Sequence, residues 1–78
     1  MASSTYEVTA RRLASTIRRR RRELGLTQED VAHEAGLSVR HYQYLESGRF
    51  NPTLKTLCQL ARVFAEPLDV LLREGKQR

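Results

Sequence analysis

The chain has 78 residues, a formal net charge of +5 and an isoelectric point near 10.1. That length supports one domain with a modest core, and the single cysteine, Cys58, excludes an internal disulfide and a cysteine-built zinc site. No apolar run approaches the ~20 residues of a membrane span, and the N-terminal MASSTYEVTARR lacks the apolar centre of a signal peptide, so a soluble, cytoplasmic protein is expected.

Residues 1–7 are polar and are expected to be flexible. From about residue 8 to residue 24, Ala10, Leu13, Ile17 and Leu24 fall on one helical face, and Gly25 supplies a stop. This first helix carries seven of the fourteen basic residues, including five consecutive arginines at 18–22. With Leu13, Ile17 and Leu24 inward, Arg20 and Arg21 flank the buried face, and Arg18, Arg19 and Arg22 point outward.

Thr27-Gln28-Glu29-Asp30 opens a second helix. The threonine caps free amides, and the two acids suit the positive end of the helix dipole. Val31, Ala32 and Ala35 face inward, and Gly36 ends the helix. Ser38 caps a third helix running to Glu46 or Ser47, closed by Gly48. After the Asn51-Pro52 loop, Thr53 caps a fourth helix whose Leu54, Leu57, Ala61 and Phe64 share a face, with Cys58 at its edge as a small buried residue. Pro67 suits the first position of a fifth helix bearing Leu68, Leu71 and Leu72. Alternation of the strand type is absent throughout. The expected architecture is all-α, a single domain of five short helices over residues 8–73, with a flexible tail at 74–78.

A basic bias in so small a domain points to a polyanionic partner, most often nucleic acid. Enzyme chemistry has no support: no nucleophile sits at motif spacing from a base, and neither a phosphate loop nor a metal cluster is present. His33 and His41 lack companions at ligand spacing and read as surface residues. No metal, cofactor or small-molecule ligand is expected. The informative stretch is TQEDVAHEAGLSVRHYQYLESG, residues 27–48. Two helices of about eight residues are joined by the tight link Ala35-Gly36-Leu37-Ser38, the layout of a helix-turn-helix whose second helix enters the major groove.

Over residues 13–72 the chain resembles the phage-repressor and Cro-like, xenobiotic-response-element type of helix-turn-helix family. The residues that carry the resemblance are Ile17-Arg18, Arg21, Gly25-Leu26-Thr27-Gln28-Glu29, Ala32, Ala35-Gly36-Leu37-Ser38, Leu45-Glu46, Gly48, Asn51-Pro52-Thr53-Leu54, Thr56-Leu57, Ala61, Pro67-Leu68 and Leu71-Leu72. The resemblance implies a lambda-repressor-like five-helix domain that binds double-stranded DNA. It assigns base reading to Val39, Arg40, Gln43 and Tyr44 on the third helix. The Arg40 fork fits the two acceptors of guanine, Gln43 fits adenine, and Val39 or the Tyr44 ring fits a thymine methyl. The Tyr44 hydroxyl is equally placed for a phosphate. Without the resemblance, Arg40 and Tyr44 read as solvated surface.

Gln28 matches the family's phosphate-clamping glutamine. Ser38, Ser47, Arg49 and Asn51 are further phosphate candidates beside the third helix, although a turn role also accounts for Asn51. Arg18 and Arg22 are candidates from the first helix, with solvated surface as the alternative. Arg21 and Glu46 fall at the family's arginine and glutamate, which implies a partly buried ion pair. Tyr42 departs from the usual aliphatic residue, and its buried hydroxyl needs a partner.

One small domain covers few base pairs, so a homodimer on a two-fold operator is expected, with Val63, Phe64, Leu68 and Leu72 as its surface. Stand-alone members of the resembled family include restriction–modification controller proteins, small phage repressors and antitoxins. Autoregulation of the controller type is the leading reading. The alternative is a protein-interaction module on the same fold, of the antitoxin or coactivator kind.

Overall fold

The computed structural model describes residues 5–49 and 51–74, and among these every regular element is a helix. Helix α1 (Thr5–Glu23) is followed by α2 (Gln28–Ala35), α3 (Val39–Ser47), α4 (Leu54–Phe64) and α5 (Leu68–Glu74). The first helix begins at Thr5, three residues before the expected start. Residues 1–4 and 75–78, where the remaining flexible ends were expected, lie outside the described residues.

Local chemistry accounts for most of the boundaries. Thr27 caps α2 through a capping box: its Oγ1 accepts from the Asp30 amide at 3.0 Å, and Asp30 accepts from the Thr27 amide at 2.9 Å. Gly36 ends α2 with φ near 74°, a left-handed conformation open to glycine, and its brevity keeps the link to α3 tight. Ser38 caps α3 by accepting from the His41 amide at 3.1 Å. Gly48 closes α3 with φ near 78°, and there a side chain would meet Arg11 and Ala14 of α1 at 3.6–3.8 Å. Thr53 caps α4 at 3.1 Å from the Thr56 amide. Pro67 stands one residue before α5 instead of at its first position, with its carbonyl accepting from the Leu71 amide.

The end of α4 is the exception to this pattern. Ala65 takes the left-handed cap with φ near 55°, where an L side chain is strained. Replacing it, Ala65→Gly, is expected to raise folding stability by about 1 kcal/mol. Urea denaturation measures this, and a loss of stability would show that the cap is not strained.

Helix α1 packs on α3 and α5, and α2 packs on α3 and α4. Their shared core holds Leu13, Ile17, Val31, Ala32, Tyr42, Leu45, Leu60, Phe64 and Leu71. Three apolar assignments change. Leu24 lies past the end of α1 and is 51% exposed, while Leu26, after the Gly25 turn, packs on the core in its place. Leu54 is 69% exposed, because α4 turns Thr56, Leu60, Ala61 and Phe64 inward. Cys58, two residues from Thr56 and from Leu60, therefore falls on the opposite side of the helix and is exposed.

Ion pairs and carbonyl contacts bind the helices laterally. Arg20 pairs with Glu66, joining α1 to the α4–α5 turn, and the Arg62 guanidinium donates to the Glu34 carbonyl at the end of α2, at 2.9 Å. Among the described residues, no helix is long and apolar enough to cross a membrane.

Candidate nucleic-acid interface

Helix α3 has two sides of different character. Tyr42, Leu45 and Glu46 are buried, whereas Arg40, Gln43, Tyr44 and Ser47 are exposed. A carboxylate on the inner side of a helix requires compensation, and Arg21 of α1 supplies it. Its Nε donates to Glu46 Oε2 at 2.5 Å, its Nη2 to Oε1 at 3.2 Å, and its Nη1 to the Leu26 carbonyl at 3.0 Å. Glu46 retains 4% of its side-chain exposure and Arg21 14%. The sequence-expected ion pair is therefore present, and it clamps the first helix to the third.

Two further groups converge on Glu46. Gln28, the first residue of α2, donates from Nε2 to Glu46 Oε1 at 3.0 Å. Arg18 donates from Nη1 to the Glu46 backbone carbonyl. Arg18 thus departs from its expected outward direction, because α3 ends against this part of α1 and its last-turn carbonyls need donors. Arg22 is exposed as expected. Burial acts to raise the Glu46 carboxyl, but the Arg21 hydrogen bonds, with the neighbouring Tyr42 hydroxyl and the Gln28 amide, outweigh it and hold the group below its ordinary value of 4.5.

Beside this pair, Tyr42 is fully buried. Burial pushes its phenol well above the usual range, and the adjoining Glu46 carboxylate adds to the push. The hydroxyl lies within reach of these charges yet makes no hydrogen bond of good geometry. The Glu46 carboxylate and the Arg21 guanidinium are the neighbours at hand for a buried hydroxyl there, but neither is well aligned with it. Since an unsatisfied buried hydroxyl costs ~1–3 kcal/mol, Tyr42→Phe is expected to leave stability unchanged or raise it by about 1 kcal/mol. A fall of more than that in a denaturant titration would mean that the hydroxyl is bonded in solution.

On the outer side, Gln43 Nε2 donates to Gln28 Oε1 at 3.2 Å. Gln28 therefore stands between the buried carboxylate and an exposed residue of α3. Ser38, Arg40, His41 and Tyr44 surround a shallow apolar groove of about 230 Å³. Sequence reasoning read His41 as a plain surface residue, whereas it is half-buried and lines this groove. Val39 is half-buried and packs on the core, so its side chain is less available at the surface than those of Arg40, Gln43 and Tyr44. Ser47 folds back on its own helix: its hydroxyl donates to the Tyr44 carbonyl at 2.7 Å and accepts from the Arg49 amide at 3.3 Å. Arg49 and Asn51 are exposed in the segment between α3 and α4.

The proposed dimer residues are less uniform than expected. Phe64 is 2% exposed and belongs to the core with Leu60 and Ala61, because the inward face of α4 passes through it. Val63 and Leu68 are half-buried, and Leu72 is 39% exposed.

A helix-turn-helix family, HTH_3, matches residues 17–71. An HTH-type transcriptional regulator, y4dJ, from Sinorhizobium fredii is 48% identical over 50 residues, covering 64% of this chain and 65% of that one. The chain therefore spans slightly under two thirds of that relative's length. A second HTH-type transcriptional regulator, from Methanothermobacter thermautotrophicus, is 40% identical over 67 residues, with 81% of this chain and 97% of the relative covered. In structure, the clp gene regulator ClgR from Corynebacterium glutamicum aligns with a TM-score of 0.82 at 21% identity, over 86% of this chain and 71% of that one. That likeness bears on the fold alone. The chain belongs to the HTH_3 helix-turn-helix family.

Proposed function

We propose that this protein is a sequence-specific regulator of transcription that binds double-stranded DNA as a homodimer on a two-fold operator, including one at its own gene. The observation that carries the reading is the two-sided α3. Its inner side is fastened by the Arg21–Glu46 pair, and Arg40, Gln43 and Tyr44 stand exposed together on the outer side. An exposed helix with donors, an amide and an aromatic ring, held rigidly on a basic domain, suits major-groove reading.

Arg40 is assigned to guanine and Gln43 to adenine, with the Tyr44 ring against a thymine methyl and Val39 at the margin. Phosphate contacts are assigned to Gln28 and Ser38 at the starts of α2 and α3, to Arg49 and Asn51 beyond α3, and to Arg22. Ser47 is a weaker candidate, since its hydroxyl hydrogen is engaged by Tyr44, and Arg18 is weaker for the same reason at Glu46. A single domain reads few base pairs, which favours two copies with half-sites roughly 34–36 Å apart. Val63, Leu68 and Leu72 supply the apolar surface for that pairing.

Fluorescence anisotropy tests the reading directly. The duplex upstream of the protein's own gene and a shuffled duplex are titrated across a salt series. Tighter binding to the first at every salt concentration is expected, and equal affinity for both overturns the operator assignment. Sedimentation at micromolar concentration, with and without the duplex, tests pairing. A strict monomer that binds without cooperativity overturns the dimer.

A further inference from the structure

We propose that two copies of this chain pair through an apolar groove between the first turns of α1 and α5, with the Tyr6 ring of each copy as a contact across the interface. This rests on the homodimer reading made above and names the surface that carries it.

Residues 5–16, the first three turns of α1, precede the span 17–71 that the helix-turn-helix family matches. Within them, Tyr6, Thr9 and Leu13 stand beside Leu72 of α5, and with Pro52 and Leu57 they bound a groove of about 130 Å³. Five large apolar side chains are exposed among the described residues. Tyr6, at 48%, and Leu72, at 39%, line this groove, and Leu54, at 69%, stands one turn from Leu57. The other two are Tyr44 on the outer side of α3 and Leu24 past the far end of α1. Three of the five therefore gather at one place, whereas a monomer ordinarily scatters them singly.

Shape and charge select a second copy as the occupant. Thr9 and Leu72 also line a neighbouring hollow of about 410 Å³, with Arg12, Asp69 and Arg73. They thus form a ridge between two hollows. A two-fold pairing sets the same surface on both sides, so a ridge beside an apolar groove fits a copy of itself, each Leu72 entering the other's groove. Charge agrees with this. A chain of net charge +5 repels its own copies, and here a carboxylate stands among the cations. Asp69 is held only loosely by Arg73 of its own helix, at 3.9 Å, with both side chains largely exposed, so it is open to Arg12 of the other copy. A partner of one charge sign meets repulsion at this mixed flank. Arg40, Gln43 and Tyr44 line neither hollow, and pairing leaves the outer side of α3 uncovered.

Sedimentation tests the surface. The full chain is measured across micromolar concentrations, free and with a duplex selected from a random library by the wild-type protein. The dissociation constant of the dimer is read in whichever of the two states shows pairing. Tyr6→Ser, Leu72→Gln and the control Leu24→Gln are compared with wild type, each at a temperature where its melting curve shows it folded. All three changes are neutral, so the charge that repels the copies is unaltered. Tyr6→Ser and Leu72→Gln are each expected to raise the dissociation constant about tenfold or more, since an anchor lost from a two-fold interface is lost twice. Leu24→Gln, at the other end of α1, is expected to pair as wild type does. The inference is overturned if wild type dimerises and Tyr6→Ser pairs equally well, or if Leu24→Gln weakens pairing as much as Tyr6→Ser. In those cases the homodimer stands and only its surface is wrong. A wild type that stays monomeric both free and on the duplex overturns the surface and the homodimer together.

Discussion

Arg21→Ala is expected to lower folding stability by ~3–5 kcal/mol, the range for removing one partner of a buried ion pair. The reason is what remains behind. Glu46 is 4% exposed, and without Arg21 its carboxylate keeps the Gln28 amide and the neighbouring Tyr42 hydroxyl but no cation. With that hydroxyl poorly aligned, it must then lie charged without a cationic partner in the interior or take up a proton. Arg19→Ala is the matched control from the same arginine run. Its partner Glu23 is one turn away and both side chains are about half exposed, 45% and 51%, so the change should cost no more than ~0.5 kcal/mol. Urea denaturation of the two variants side by side reads the difference, and equal losses would mean that the pair contributes no more than a surface bridge.

Acid should act on the same pair. The folded state holds the Glu46 carboxyl below its ordinary value of 4.5. Its contribution is therefore complete above about that pH and is lost as pH falls through the depressed folded value. Glu46→Gln removes the titrating group, so the variant's stability should decline less steeply than that of wild type on the acid side of pH 4.5. Parallel decline in the two proteins would place the acid sensitivity elsewhere.

Arg40→Ala is expected to weaken operator binding by ~1–3 kcal/mol, about 10- to 100-fold, and to relax preference at one base position. Arg40 is exposed on α3 and lines the groove with Ser38, His41 and Tyr44. Its removal leaves the core untouched, so thermal stability should stay within experimental error of wild type. The pattern across duplexes distinguishes two roles. Loss confined to one position marks a guanine contact, whereas a uniform loss with a shallower salt dependence marks a phosphate contact.

Capping and periodicity made the five helices legible because both act within a few residues. Thr27, Ser38 and Thr53 each bond an amide three positions ahead, and Gly36 and Gly48 each close the helix that precedes them. Such contacts are written in the order of the chain. The Arg21–Glu46 pair was reached differently, through the resemblance, since its partners are 25 residues apart and no local rule joins them.

Periodicity failed where the end of a helix, or its neighbour, decides burial. Leu24 continued the apolar stripe of α1, but the helix had already ended and Leu26 took the inward place. Leu54 and Cys58 were placed on or beside an apolar stripe through Leu57, Ala61 and Phe64, but the neighbouring helices cover the face through Thr56, Leu60 and Phe64 instead. Phe64 was assigned to a dimer surface on hydrophobicity alone, and the core claimed it.

The arginine run divides along the same line. Residues 18–22 are all arginine and share one helix, yet their surroundings differ, and Arg22 is exposed. Arg19 bonds its own helix, Arg20 reaches Glu66, Arg21 the Glu46 carboxylate, and Arg18 the carbonyl of that same residue. The sequence by itself determined five helices, three of them with hydroxyl caps, a basic surface and the helix-turn-helix spacing, because each follows from chemistry within a turn or two. Only the tertiary structure decided which arginines are structural, and that Gln28 stands between Glu46 and Gln43. Those contacts arise where α1, α2 and α3 cross, and a side-chain hydrogen bond to a residue 15 to 28 positions away depends on the crossing geometry rather than on either sequence neighbourhood.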